Sequence, residues 1–592
     1  MQITENELNA TNQTSMFKVN EFDRNEYISY AFLVVEMQKG NYARGKLSTI
    51  VREINKLFKM PVMILFKIHD TLTFAIINRR PNKVQQDKYV LSKVTLIKDI
   101  NIKNPHRAHI EILYDLSLEK LSEEYNFTNF LELHNAWQKV LDTKKLNKSF
   151  YEELSNWYFW ALKNVKFPEA AEKENNGRNI ALIRFITRII FIWFMKQKGL
   201  VSDDLFQEEK IKEVLKDLSQ NKDTYYKAIL QNLFFATLNT PIKERNFRRE
   251  ARYKGYLNKD YMQHNYYRHH NLFKNPEQML SIFGNIPFLN GGLFECLDKS
   301  KDDELNDTGK EIRIDGFSDD SKKQPHVPNF LFFSDEIEVD LNKDYGTKNK
   351  KHTTYGILNL LETYNFTVDE STPIDVEIAI DPEMLGRIFE NLLASYNPET
   401  STTARKSTGS YYTPRPIVDY MVDESLKEYF KTKITAPNLT ENLQKLFSSD
   451  TLENPFSEKE TDTFIEAINN LKILDPAAGS GAFPMGILQK LVYLLSELDP
   501  HNKKWKQKQI EAIEKNVLDI KSRKEAIKKI EENFAKNELD YGRKLYLIQN
   551  SIYGVDIQPI AIHIAKLRFF ISLLVDEKVN DDKTDNFGIQ PL

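Results

Sequence analysis

The stretch ILDPAAGSGAF, residues 473–483, constrains the fold of this chain more than any other. A short apolar run stops at Asp475, glycines follow at Gly479 and Gly481, and an apolar segment with helical spacing comes next. This order is typical of the first β-α unit of a nucleotide-binding sheet, because glycines allow a sharp turn and the close approach of a ligand to the backbone. The alternative for this stretch alone is an ordinary βα turn without a ligand.

The residues around this turn argue against a phosphate ligand. The phosphate-binding patterns G-x-G-x-x-G and G-x-x-x-x-G-K-[ST] are absent. The carboxylate of Asp475 repels phosphate and attracts a cation, such as the α-ammonium group of an amino-acid-like ligand. A second apolar strand ends at Asp556, where an acid can bind both ribose hydroxyls, and Ile557 is placed to lie against an adenine ring.

Length and spacing predict a multidomain α/β protein, since 592 residues are too many for one hydrophobic core. We predict a small α/β domain over residues 1–125, a mainly helical domain over 126–396, and a third unit over 397–592 that begins a Rossmann-like sheet. Asp475 and Asp556 lie much farther apart than the ~20 residues usual in dinucleotide folds. We therefore expect the charged segment of about 501–549 to be an exposed helical insertion.

Bulk composition excludes several classes of protein. The net charge is −3, so a nucleic-acid surface requires local clustering of basic residues. The single cysteine, Cys296, excludes an intramolecular disulfide and favours a reducing compartment. The first residues lack the basic and apolar regions of a signal peptide, and the sequence has no run of 18 apolar residues to span a membrane. We expect a cytoplasmic protein with no membrane partner.

Three stretches occur in an order typical of one family: GSYYTPRPIVDYMV (409–422), ILDPAAGSGAF and IYGVDIQPIAIHIAKLRFFISLLV (552–575). Together they resemble the adenine-specific (N6) DNA methyltransferases of the large restriction–modification type, in which a methyltransferase and sometimes a nuclease share a chain. IPFLNGGLFE (286–295) and DPEMLGRIFENLLASYNPET (381–400) are similar to the helical region that precedes the catalytic domain in that family. The resemblance covers residues 280–592 well and the N-terminal part less specifically.

The resemblance implies that the third unit starts an S-adenosylmethionine-dependent methyltransferase domain. It implies site-specific adenine methylation of double-stranded DNA, in a restriction–modification or phage-defence system. Thr413 would lie on the methionine carboxylate side, Asp475 on the ammonium side and Asp556 at the ribose. The full set of implied cofactor-binding residues is Tyr412, Thr413, Asp475, Pro476, Ala477, Gly479, Gly481, Phe483, Asp556 and Ile557. The dipeptide Thr413-Pro414 also predicts the start of a helix, with Thr413 as its N-cap.

The family's catalytic motif, Asn/Asp-Pro-Pro-Tyr/Phe, does not occur in these 592 residues. In that motif an amide and a backbone carbonyl accept hydrogen bonds from the adenine amino group, and an aromatic ring stacks on the extruded base. We expect the catalytic residues and a target-recognition domain beyond Leu592, or on further subunits. The alternative is a non-catalytic DNA-binding or cofactor-sensing scaffold subunit of a defence complex.

The N-terminal domain is similar in one respect to magnesium-dependent nucleases. Glu36 ends an apolar strand, Asp23 precedes it and Lys39 follows it. Such nucleases place Glu-x-Lys on one strand so that two carboxylates share Mg²⁺ and lysine aids the attacking water. Here the spacing is Glu-x-x-Lys, which sends Lys39 to the opposite face of a strand. We therefore expect Glu36 to be a paired structural acid and the domain to position DNA; Mg²⁺ is expected only if the domain is a nuclease.

A basic and aromatic segment, residues 243–274, is the candidate DNA-binding surface. Its candidate contacts to phosphate are Arg248, Arg249, Arg252 and Lys254, interleaved with aromatic residues that can stack on bases. An exposed amphipathic hairpin that uses arginine as surface charge is an equal alternative. His264, His269 and His270 lack the companion ligands of a zinc site, so no metal is expected.

Overall fold

The structure is a computed structural model that describes residues 11–16, 30–38, 40, 42, 44–58, 61–81, 89–141, 143–173, 177–248, 252–253, 256–257, 262–289, 294–301, 303, 306, 309–368, 370, 375–394, 413–448, 454–517, 519–536 and 539–590. The strands of its two principal sheets are β1 Thr11–Met16, β2 Ala31–Met37, β3 Val62–Ile68, β4 Thr71–Pro81, β5 Tyr89–Asn101, β6 Asp375–Glu377, β7 Ile473–Asp475 and β8 Ile552–Gly554. Two small antiparallel sheets of two strands each pair Arg252–Tyr253 with Tyr256–Leu257 and Ile337–Val339 with His352–Thr354.

The α-helices of the first two thirds are α1 Arg44–Leu57, α2 Arg107–Asp115, α3 Leu118–Glu124, α4 Phe130–Val140, α5 Thr143–Asn164, α6 Glu169–Lys173, α7 Gly177–Gln197, α8 Glu208–Val214, α9 Pro276–Phe283, α10 Phe330–Phe333, α11 Asn342–Tyr345, α12 Ile357–Glu362 and α13 Glu383–Ala394. Those of the last third are α14 Arg415–Lys433, α15 Leu439–Phe447, α16 Glu458–Asn469, α17 Ala482–Leu498, α18 Lys503–Asn516, α19 Ile520–Lys536, α20 Leu539–Asn550 and α21 Pro559–Asp576. Within the described ranges, no helix has the length and apolarity to cross a bilayer.

The N-terminal sheet is mixed and runs in the order β1-β2-β3-β4-β5-β6 among the described strands. The β2–β3 pair is parallel, and α1 makes the crossover that parallel strands require. This helix buries Leu47, Ile50 and Val51 against the sheet, as its apolar spacing predicts. Strands β3, β4 and β5 pair antiparallel, and β6 joins β5 in parallel from far along the chain.

The helical region has the largest apolar core. The sequence predicts a buried helix over 179–200, and α7 is buried along much of its length from Ala181 to Met195. Ile564 and Phe570 of α21 belong to the same core. The last helix therefore packs into the helical region as well as onto its own domain.

The C-terminal unit contains β7 and β8 as parallel neighbours, with α14, α17 and α20 around a second core. The segment expected to be an insertion between the two strands forms the three helices α18, α19 and α20. We expected this insertion to be exposed, but Trp505, Tyr541 and Leu547 are buried. Its charged faces lie outward while these apolar side chains attach it to the domain.

Candidate cofactor-binding site

The parallel pairing of β7 and β8 brings the two predicted acids to the same edge. Ile473 is opposite Ile552 and Asp475 is opposite Gly554. Beyond the strands, the Val555 N–H donates to the Asp475 carbonyl at 2.9 Å. Asp475 and Asp556 thus both follow the carboxyl ends of neighbouring strands, where ligands bind in open α/β sheets.

Glycine is required at the turn for both conformation and space. Gly479 has φ +53° and Gly481 has φ +88°, in the region that favours glycine. A Cβ on Gly481 would lie 3.0 Å from the Ala565 Cβ, and one on Gly554 would lie 2.9 Å from the Ala478 Cβ. The turn is therefore held tightly between β8 and α21, with Gly481 immediately before α17.

Backbone N–H groups orient the carboxylate of Asp556. The Gly479 N–H donates to Oδ2 at 2.9 Å, and the Gln558 N–H donates to Oδ1 at 2.8 Å. Each oxygen still has a lone pair for another donor. A half-buried carboxylate fixed in this way is positioned to accept hydrogen bonds from a vicinal diol.

Asp475 has one satisfied and one unsatisfied oxygen. Its Oδ1 accepts a hydrogen bond from the Ala477 N–H at 3.0 Å. Its Oδ2 is buried and has no hydrogen-bond partner within the described part of the chain. Burying a carboxylate oxygen without a partner is costly, so this atom suits a cationic donor from a ligand.

The other predicted cofactor residues have mixed environments. Pro476 and Ala477 are exposed at the turn, and Phe483 is half-buried and packs on the second core. Ile557 is 90% exposed, so the expected adenine contact is open to solvent. Tyr412 lies outside the described residues.

The prediction that Thr413 caps the next helix is wrong. Helix α14 starts at Arg415 with Pro414 as its N-cap, and no side chain caps it. The Pro414 carbonyl accepts from the N–H groups of Ile417 and Val418, and Pro416 lies in the first turn. Thr413 is half-buried just before this helix. Its expected place near the cofactor carboxylate stays a prediction.

A buried ionic network beneath the turn was missed by sequence reasoning. Arg568 of α21 pairs with Glu370 at 2.9 Å, with side chains only 1% and 5% exposed. Arg568 also donates to the Ser480 carbonyl at 3.0 Å, and the Ser480 hydroxyl donates to Glu390 at 2.8 Å. Arg44 of α1 donates to the Glu370 carbonyl. The available signal was a charged residue within an apolar helix, in IAKLRFFISLLV and GRIFENLLA.

Glu36 in the N-terminal sheet is a paired acid, as expected. It lies opposite Lys67 in the β2–β3 register, and the Lys67 ammonium is 3.0 Å from its carboxylate. Lys39 and Asp23, the other members of the suggested nuclease site, lie outside the described residues. Whether the domain positions DNA stays a prediction.

The structure describes some of the candidate DNA-binding residues and not others. Arg248 pairs with Asp319 at 2.7 Å, and Arg268 binds the same carboxylate. Arg249 and Lys254 lie outside the described residues, and Arg252 is in the short strand Arg252–Tyr253. The Arg252–Tyr253 and Tyr256–Leu257 hairpin is compatible with either interpretation of this segment.

Within the described part of the chain, His264, Cys296 and Asp298 place three possible metal-ligand atoms close together. Asp298 is already bound, because it accepts four backbone N–H groups from the 314–317 loop at 2.8–3.0 Å. Burial raises the pKa of the Cys296 thiol well above its usual value. These contacts indicate a structural cluster.

The protein belongs to the α/β class. Its two parallel strands β7 and β8 are followed, at their carboxyl ends, by a glycine turn and two acidic residues. The chain is 26% identical over 471 residues to a protein of Methanocaldococcus jannaschii, provisionally named type II restriction enzyme and methyltransferase RM.MjaORFECS2P. The aligned region covers 77% of this chain and 30% of that relative, so the similarity spans about a third of the relative's length. No protein-family model matches the chain, and no solved structure matches it. The chain is thus similar to a restriction–modification protein.

Proposed function

We propose that this chain binds S-adenosylmethionine at the β7–β8 turn and takes part in site-specific adenine methylation of DNA, in a restriction–modification or phage-defence system. The observation that carries the proposal is the buried Oδ2 of Asp475, which has no hydrogen-bond partner among the described residues. It follows the strand next to Asp556, whose carboxylate two backbone N–H groups orient. The similarity to a protein named as a restriction enzyme and methyltransferase supports the role in DNA modification.

The donor set fits this cofactor better than it fits a nucleotide. Asp475 would bind the ammonium group, Asp556 would accept the ribose hydroxyls, and the backbone from Ala477 to Gly481 would lie along the ligand. Two carboxylates at this edge repel a phosphate, which S-adenosylmethionine lacks. When bound, the cofactor supplies a methyl group activated by the sulfonium charge; the residues of this chain bind and orient it.

A cofactor-sensing scaffold is the second candidate function. Such a subunit would use the same cofactor pocket without methylating DNA itself. Both functions need the same turn and the same two acids. They differ in whether DNA becomes methylated when the protein is present.

Methylation mapping of host DNA tests the proposal. The hosts carry the intact gene, a disrupted gene, or a gene with Asp556→Ala, and Asp582→Ala is a control in an exposed acid that binds only its own loop. We expect N6-methyladenine at one recognition sequence with the intact gene and the control, and its loss in the other two hosts. An adenine methylation pattern that is the same in all four hosts would reject the methylation role and favour the scaffold.

A further inference from the structure

Glu390 contacts the glycine turn from outside the β-α-β unit. It lies on α13, in the helical region, and its Oε1 accepts a hydrogen bond from the Ser480 hydroxyl at 2.8 Å. A Cβ on Gly479 would lie 3.3 Å from the same oxygen. The acid therefore packs directly against the residues that form the turn.

Ser480 is held by two different helices. While Glu390 of α13 accepts from its hydroxyl, Arg568 of α21 donates to its carbonyl at 3.0 Å. Ser480 is almost completely buried, so both hydrogen bonds are shielded from water. The preceding residue, Gly479, donates its N–H to Asp556 at 2.9 Å. Ser480 is thus held on both sides, directly next to the residue whose N–H orients Asp556.

The environment of Glu390 differs from that of a surface acid. Its Oε2 is buried and has no hydrogen-bond partner in the described part of the chain. Burial raises the pKa of the Glu390 carboxyl, and the nearby Asp556 charge adds to the rise, while Ser480 and Arg568 oppose it. Burying this carboxyl has a cost that an apolar residue at the same site would not have, which indicates a role beyond filling space.

We propose that Glu390 is a positioning residue of the cofactor site. By holding Ser480 it keeps the Gly479 N–H on Asp556, and so presents the Asp556 carboxylate to the ribose hydroxyls. The helical region thereby sets the geometry of a site whose other residues belong to the C-terminal unit. The identity of the ligand rests on the proposed function, whereas the positioning of the turn does not.

The proposal predicts how each variant changes the affinity for two ligands that differ at the amino-acid end. Adenosine has the ribose but lacks the amino-acid end, whereas S-adenosylhomocysteine has both. Glu390 acts at the ribose side through Asp556, so Glu390→Ala should weaken both ligands by a similar factor. Asp475 faces the ammonium group, so Asp475→Ala should weaken S-adenosylhomocysteine and leave adenosine unchanged.

The test measures the affinities of adenosine and S-adenosylhomocysteine by saturation-transfer NMR on the 592-residue chain. We expect Glu390→Ala and Ser480→Ala each to weaken both ligands about fivefold or more, the effect of one buried hydrogen bond. The double variant should be no weaker than Glu390→Ala, because that single variant already removes every hydrogen bond from Ser480 to Glu390. Glu390→Gln keeps a carbonyl acceptor for Ser480 and should bind within about twofold of the wild type.

Glu460→Ala is the matched control. It removes a serine–glutamate hydrogen bond of the same kind, between Ser457 and Glu460 at the start of α16, away from the turn. It should leave both affinities unchanged. Wild-type affinity in Glu390→Ala, or a loss in Glu390→Gln as large as in Glu390→Ala, would overturn the proposal.

Amide hydrogen exchange separates this proposal from the proposed function. If the wild-type protein binds neither ligand, the proposed function fails, and exchange at Gly479 decides the positioning role. Faster exchange there in Glu390→Ala than in Glu460→Ala supports it, because the Gly479 N–H would be released from Asp556. Equal exchange in the two variants would overturn it.

Discussion

At the scale of single residues, some buried polar groups have an ionic or hydrogen-bond partner, and others have none among the described residues. Arg568 and Glu370 are both buried and form an ion pair, so each provides the opposite charge that the other needs in the interior. His109 of α2 is fully buried, and both of its ring nitrogens lack a hydrogen-bond partner in the described part of the chain. Burial lowers the pKa of His109 to about 4, with a smaller contribution from His106.

We predict that His109 makes the stability of the protein depend on pH. Its pKa is lower in the folded state than in the unfolded state, so the unfolded chain binds more protons between pH 4 and 6.5. Stability should therefore fall as the pH falls through this range, by up to about 3 kcal/mol from this group.

Urea unfolding at several pH values measures this effect. His109→Leu should make the free energy of unfolding less dependent on pH between 4 and 6.5, while His69→Asn, at an exposed position, should not. A pH dependence that is the same in wild type and His109→Leu would contradict the prediction.

At the scale of elements, the close contact between α14 and α17 depends on a glycine. A Cβ on Gly486 would lie 2.6 Å from the Val418 Cγ1, which is closer than carbon atoms can approach without movement. By contrast, a Cβ on Gly45 in α1 would meet no atom of the described residues within 4 Å. Both residues are helical, so they form a matched pair for substitution by alanine.

We predict opposite effects of alanine at these two glycines. Gly486→Ala should lower the free energy of unfolding by about 1–3 kcal/mol, because the overpacked contact outweighs the gain in helix propensity. Gly45→Ala should raise it by up to about 1 kcal/mol. Chemical denaturation measures both free energies of unfolding. Stabilisation by Gly486→Ala would contradict the prediction, because it would mean that α14 and α17 move apart without a loss of stability.

The local elements were predictable from the sequence, while their long-range partners were not. The helix over 44–58, the buried helix over 179–200 and the strands before Asp475 and Asp556 follow from apolar spacing and from glycine. Strand β6 is three residues long, and its pairing with β5 is set by tertiary contacts that apolar spacing cannot reveal.

The candidate site was predictable to a similar extent. The two acids and the glycines of the turn were predicted because they lie on short, patterned segments. Glu390, Glu370 and Arg568 could not be placed, because each is defined by a partner more than 80 positions away in the sequence. The prediction that Thr413 caps α14 was wrong. Threonine is often an N-cap, but here Pro414, whose φ is fixed by its ring, occupies the N-cap position.

At the scale of the whole molecule, one short segment connects the N-terminal sheet with the glycine turn. Glu370 pairs with Arg568 below the turn and accepts from Arg44 of α1 through its carbonyl. Gln489 of α17 donates to the same carboxylate. A few residues later the chain forms β6 at the edge of the sheet. These contacts join the first and last domains through buried polar groups.

We predict that the basic segment contacts the DNA backbone through a subset of its candidate residues. Arg248 is already paired with Asp319, so Arg248→Ala should hardly change the salt dependence of DNA binding. Replacing Arg249, Arg252 and Lys254 together should reduce the slope of log affinity against log salt by about three. Fluorescence anisotropy at several salt concentrations measures this slope. An unchanged slope in the triple variant would indicate that these basic residues are ordinary surface charge and do not contact DNA.

Calorimetric titration with S-adenosylmethionine tests the central claim most directly. Because the open side of the turn leaves Ile557 exposed, we expect weak binding, with a Kd on the order of 0.1–1 mM. Asp475→Ala and Asp556→Ala should each weaken it about tenfold or more, while Asp582→Ala leaves it unchanged. Binding of ATP in preference to S-adenosylmethionine, or undiminished binding by both acid variants at the turn, would contradict the account.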